Sequence, residues 1–220
     1  MKYVYLFGKN INEGDSSKID LLGGKGANLA EMSSLNIPVP PGFTITTEVC
    51  NLFLKNYSLK KSIKNDISKA LKLVEKSISK KFGDIENPLL LSVRSGAKIS
   101  MPGMMETVLN IGLTSKTIPG LIKRTGNSRF VYDSYRRLIM MYADVVMEKA
   151  EQKNDINIRE KLEHILDRYK NKRSIANDFD LTTEDLKFLI DKFKFNIKKY
   201  LKVDFPDSPE EQLWGAIEAV

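Results

Sequence analysis

Apolar positions follow one rhythm at the start of the chain and another later. Through about residue 113, short apolar runs alternate with breaks rich in glycine and proline. Residues 4–7 and 43–46 have the length and composition of short strands, and 89–93 and 107–111 read as buried strands, the last ended by Gly112. Gly23-Gly24-Lys25-Gly26 reads as a glycine loop, followed by Ala27, Leu29, Ala30 and Met32 at helical spacing. Ile37-Pro38-Val39-Pro40-Pro41-Gly42 excludes helix, because each proline lacks an amide donor and fixes φ. Thr47 and Glu48 can open the next helix, and Ile63, Ile67, Ala70, Leu71, Val74 and Ile78 mark another by an i, i+3/i+4 stripe.

From about 114 to 200 the rhythm is helical throughout. Val131, Tyr135, Leu138, Tyr142 and Val145 keep one face for four turns, and Ile158, Leu162, Ile165 and Tyr169 do the same. Thr182 or Thr183 ahead of Glu184 and Asp185 signals a helix start, with Leu186, Ile190, Phe193 and Ile197 as its buried stripe. Ser208-Pro209 opens a last helix whose apolar face is Leu213, Ala216, Ile217 and Val220. No glycine, basic turn or polar tail closes it, which fits either a frayed end or a chain cut inside a larger protein. The patterns predict an α+β chain in three parts: a mixed part over 1–113, a helical part over 114–200, and 201–220 leading back.

Composition narrows the class. In 220 residues, 42% are hydrophobic and 29% charged, enough apolar content for a packed core and too much for disorder. No apolar run approaches the roughly 18 residues that span a bilayer, so no membrane role is expected. Cys50 is the single cysteine, which excludes an internal disulfide and points to a reducing, cytoplasmic setting; an organelle address at a missing C-terminus stays open. The net charge is +7, and residues 55–81 hold nine lysines against two acids, as much as the whole excess. Arginines and stacking aromatics are missing there except for Tyr57, so a solvated helix face is expected rather than a nucleic-acid surface.

Two segments could carry chemistry. Glycines at 23, 24 and 26 let backbone amides converge on an anion at a helix start, and Lys25 adds a point charge. The spacing is not that of a Walker loop, and the segment alone is equally a structural turn. Arg94, leaving the 89–93 strand, can fork two donors onto a phosphate or pair with a carboxylate. Ser100-Met101-Pro102-Gly103-Met104-Met105 suits neither helix nor strand and has the character of a covering loop. His164 has no nucleophile or second histidine near it in sequence and reads as a surface residue. Cys50 and Trp214 read as packing residues, and no carboxylates stand at metal-ligand spacing.

In order, Leu22-Gly23-Gly24-Lys25-Gly26-Ala27-Asn28-Leu29-Ala30-Glu31-Met32, Val39-Pro40-Pro41-Gly42-Phe43-Thr44, Ser92-Val93-Arg94-Ser95-Gly96-Ala97 and Ser100-Met101-Pro102-Gly103-Met104-Met105-Glu106-Thr107 resemble the N-terminal region of the pyruvate, phosphate dikinase family. Phe130-Val131-Tyr132-Asp133-Ser134-Tyr135-Arg136-Arg137 continues the likeness, which spans essentially the entire chain. The resemblance implies the first part of an ATP-grasp nucleotide-binding domain with a helical subdomain, using ATP, phosphate and Mg²⁺. It implies that Lys25 contacts ATP, that Arg94 binds phosphate and acts in catalysis, and that Gly103 and Thr107 belong to the segment closing over the triphosphate. The family's Mg²⁺ ligands, carrier-histidine domain and pyruvate-binding domain have no counterpart here, so the chain is expected to be an inactive, monomeric fragment whose partners are those domains. A phosphoenolpyruvate synthase fragment and a non-catalytic binding module remain the alternatives.

Overall fold

The computed structural model describes residues 2–96, 107–150 and 156–220. Their contacts gather into two compact units, one of residues up to 80 with a return at 94–96, the other of 81–93 and the described residues from 107 onward.

The first unit is built on a three-stranded antiparallel sheet. Its central strand β1 (Val4–Gly8) lies between the two-residue β2 (Ile11–Asn12) and β3 (Gly42–Ile45). Val4 faces Ile45 and Phe7 faces Gly42, a register in which alternate residues Val4, Leu6 and Gly8 are buried. The turn after β1 is closed by Glu13, which accepts the Leu6 amide at 2.8 Å and pairs with Lys2 at 2.7 Å. Among the described residues, three helices accompany the sheet: α1 (Ile19–Ser34), α2 (Thr47–Asn56) and α3 (Lys61–Ile78).

α3 buries Ile63, Ile67, Ala70 and Val74, the stripe its sequence predicts, and turns its lysines outward. Ile63, Ile67 and Val74 each contribute about 1.5–3 kcal/mol by leaving water, which offsets the cost of concentrating positive charge on one face. α2 is shallower, with Val49 its sole buried residue. Cys50 follows about 100° further round the helix and is exposed, which corrects its reading as a core residue.

The second unit opens with short strands. β4 (Lys81–Phe82) runs parallel to β5 (Pro88–Leu89), and β6 (Leu91–Arg94) pairs with β7 (Thr107–Ile111). The apolar run expected as one strand over 89–93 is thus two strands, interrupted at Leu90. Among the described residues, five helices follow: α4 (Ile118–Thr125), α5 (Ser128–Tyr142), α6 (Ile158–Arg173), α7 (Thr183–Leu201) and α8 (Pro209–Ala219). With the sheet unit, they make the chain α+β.

The core of this unit lies where α5 meets α7, with Val131, Leu138 and Ile139 buried together with Leu186, Leu189, Phe193 and Ile197. Past Tyr142 the helix widens into a π turn over Ala143–Glu148. The wider turn moves the buried face from the expected Val145 to Val146 and Met147. In α6 the buried face is Ile158, Leu162 and Leu166, with Ile165 and Tyr169 at its margin.

Two polar clusters fix the helices in register. Arg136, almost fully buried, bonds Asp133 at 2.8 Å and Asp178 at 3.0 Å, and Lys170 reaches Asp178 at 2.8 Å. Gln212 of α8, also fully buried, accepts the Gly112 amide at 2.9 Å and donates to the carbonyls of Leu113 and Pro206. Ser208 caps α8 and Thr182 caps α7 in a reciprocal box with Asp185, both as the sequence predicts.

Candidate functional site

The glycines at 23–26 do not form a separate loop. They lie within α1, which is broken at one residue, Gly23, whose backbone sits at φ 69°, ψ 164°. A residue there cannot carry the helical ladder, so the helix starts anew at Gly24. Gly24, Lys25 and Gly26 thus open this second piece, at the positive end of its dipole. Gly26 holds the piece close to β3, since a Cβ on it would stand 2.7 Å from Thr44 Cγ2.

Onto this break comes the segment that leaves β6. Lys25 Nζ donates to the Ser95 carbonyl at 3.1 Å, across 70 sequence positions. A Cβ on Gly23 would lie 2.6 Å from the Gly96 carbonyl oxygen, so the two backbones meet with no side chain between them. Arg94 stands at the end of β6 with its side chain exposed. Burial, and then the charge of Arg94, pull the Lys25 ammonium below the ordinary lysine range. Among the described residues, no carboxylate forms an ion pair with Arg94. Two cations and the start of a helix therefore stand together, an arrangement that attracts an anion.

Of the residues singled out from sequence, Lys25 and Arg94 are thus brought together in the first unit. Thr107 opens β7 in the second unit and is half-buried. Gly103 and its methionine-rich neighbours lie outside the described residues. His164 is exposed, with Nε2 2.8 Å from Arg168 Nη2. Trp214 is half-buried on α8. Among the described residues, no three of His, Cys, Asp and Glu gather as metal ligands. No helix among them is long and apolar enough to cross a membrane.

Sequence reasoning missed the contributions of Gly23 and of the Ser95 and Gly96 carbonyls. Every residue has a carbonyl, so composition cannot mark the one that receives a lysine. The doubled glycine at 23–24 hints at unusual backbone, but does not say which residue takes the positive φ.

Residues 19–176 match the family described as pyruvate phosphate dikinase, AMP/ATP-binding domain. The match covers most of the chain, including both Lys25 and Arg94, and the chain belongs to this family. Over its whole length it is 47% identical to pyruvate, phosphate dikinase of Clostridium symbiosum and 44% identical to that of Rhizobium meliloti, covering 24% of each. It is 45% identical to the chloroplastic pyruvate, phosphate dikinase 1 of Arabidopsis thaliana, covering 22%. The chain thus spans about a quarter of the length of these relatives.

Proposed function

We propose that this chain supplies the phosphate-side contacts of an ATP-grasp nucleotide site within a longer pyruvate, phosphate dikinase. The single observation that carries the reading is the meeting of Lys25 and Arg94 at the restart of α1, a cationic cradle suited to a polyphosphate. In the complete reaction, ATP would transfer its β- and γ-phosphoryl groups together to a carrier histidine on another domain, releasing AMP. Inorganic phosphate would then attack the terminal phosphoryl group of the pyrophosphorylated histidine and leave with it as pyrophosphate. The remaining phosphohistidine would then phosphorylate pyruvate to phosphoenolpyruvate.

The role of this chain is binding and charge neutralisation. Phosphoryl transfer draws most of its acceleration from positioning and from stabilising charge on the transferring oxygens. Arg94 would fork onto one phosphate, Lys25 would exchange the Ser95 carbonyl for another, and the amides of Gly24–Gly26 would add donors. Gly103 and Thr107 are proposed as further nucleotide contacts of the complete enzyme. Mg²⁺ would neutralise the polyphosphate when bound, held by ligands supplied outside this chain. The isolated chain should therefore bind ATP weakly and not turn over.

Arg94→Ala in the complete enzyme tests the reading. Loss of one charge-assisted contact should cost about 2–4 kcal/mol of transition-state stabilisation in the ATP half-reaction. A half-reaction unchanged by the substitution would refute the role. Running it with and without inorganic phosphate separates the two enzymatic readings: a dikinase requires phosphate, whereas a phosphoenolpyruvate synthase uses water in its place.

A further inference from the structure

We propose that Gly23 is a positioning residue. Its side-chain-free backbone seats the segment 94–96 and so sets the spacing at which Lys25 and Arg94 grip one polyphosphate. The proposal rests on the phosphate reading of this site. It adds a residue that touches neither ligand nor reacting atoms.

Three observations converge on Gly23. Its φ of 69° with ψ 164° is a conformation that an L side chain adopts only under strain. A Cβ there would approach the Gly96 oxygen to 2.6 Å and its carbonyl carbon to 3.1 Å. Both atoms are backbone, so no rotamer change relieves the clash, and the segment itself must withdraw. From the other side, Lys25 Nζ holds the adjoining Ser95 carbonyl at 3.1 Å. Pushing 95–96 outward therefore lengthens that bond and carries Arg94 away from Lys25. The requirement is one-sided, because a Cβ on Gly96 would meet Leu22 O at 3.8 Å, an ordinary contact.

The test compares the parent protein with Gly23→Ala and Gly96→Ala at full length. The pH dependence of Lys25 acylation, read by peptide mass spectrometry, reports the ammonium's surroundings. Inorganic tripolyphosphate is the binding probe. In the parent, Lys25 should react with a midpoint below that of the exposed lysines. Gly23→Ala should move the midpoint up toward them and weaken tripolyphosphate binding at least tenfold. Gly96→Ala should keep the low midpoint.

A folded Gly23→Ala protein that retains both the low midpoint and the affinity overturns the proposal. If Gly23→Ala does not fold, Gly96→Ala decides: a retained midpoint supports the one-sided contact, and a raised midpoint overturns it. The underlying reading fails separately. Tripolyphosphate that does not bind the parent refutes the phosphate site, whatever Lys25 does in the variants.

Discussion

Lys25 shows how much of a residue's chemistry depends on its neighbours. As a lysine after two glycines it is a generic phosphate candidate. Partial burial and the charge of Arg94 give it a lowered pKa, and that has a direct consequence. An anion needs the ammonium form and stabilises it, so binding should take up a proton when the pH lies near the lowered value. Affinity for tripolyphosphate should fall as pH rises through that value, then level off where Arg94 alone remains charged. Isothermal titration in two buffers of different ionisation enthalpy measures the proton uptake. In Lys25→Gln, affinity should be weaker and this pH dependence should vanish. Sequence identified both cations by type, yet not their meeting, because no local rule links residues 69 positions apart. Cys50 is the converse case. Its neighbours suggested a buried face, but among the residues of α2 Val49 alone is fully buried.

At the scale of elements, local signals were read well wherever they act locally. Thr182 with Asp185, and Ser208 with Pro209, begin α7 and α8 because capping satisfies amides within one turn. Thr182→Ala should destabilise the second unit by about 1 kcal/mol in chemical denaturation. Long-range partners were not legible. Gln212 sits inside the predicted amphipathic helix α8, and its sequence position gives no reason for full burial. Its carboxamide satisfies Gly112, Leu113 and Pro206, so Gln212→Leu keeps the volume and strands three backbone groups. A loss of about 3 kcal/mol is expected, from a scale of about 1–3 kcal/mol per buried unsatisfied group. A loss below that of Thr182→Ala would show that the three backbone groups find other partners. The π turn at Ala143–Glu148 also escaped the pattern, since one extra residue per turn shifts a face without changing composition.

Across the whole molecule, the charges divide in role. The lysines of α3 stay on the outside, whereas the second unit ties its helices together through carboxylates. Burial raises the pKa of Asp178, Asp185 and Asp207, but partners outweigh it in each case: Lys170 and Arg136, the Thr182 and Tyr169 hydroxyls, and the Ser115 hydroxyl and amide, respectively. All three therefore titrate below the ordinary aspartate value of 3.8 when folded. Between the folded and unfolded values the unfolded chain binds more protons, so their stabilisation is present above 3.8 and is lost as pH falls through the lowered values. Thermal unfolding followed from pH 6 down to pH 2 should show a falling midpoint below about pH 4. Asp178→Asn should flatten part of that fall, because Asp133 continues to pair with Arg136.

The sequence by itself determined the α+β class, most helices and their caps, the α3 stripe, the identity of the two cations and the family resemblance. These follow from periodicity, turn chemistry and short ordered motifs, all local in the chain. Only the tertiary structure decided that β4, β5 and β7 group with the helices, that α1 breaks at Gly23, and that Ser95 receives Lys25 beside Arg94. Those features depend on which distant backbones can approach closely. That is set by excluded volume and by the pairing of buried polar groups, neither of which is written in any one segment.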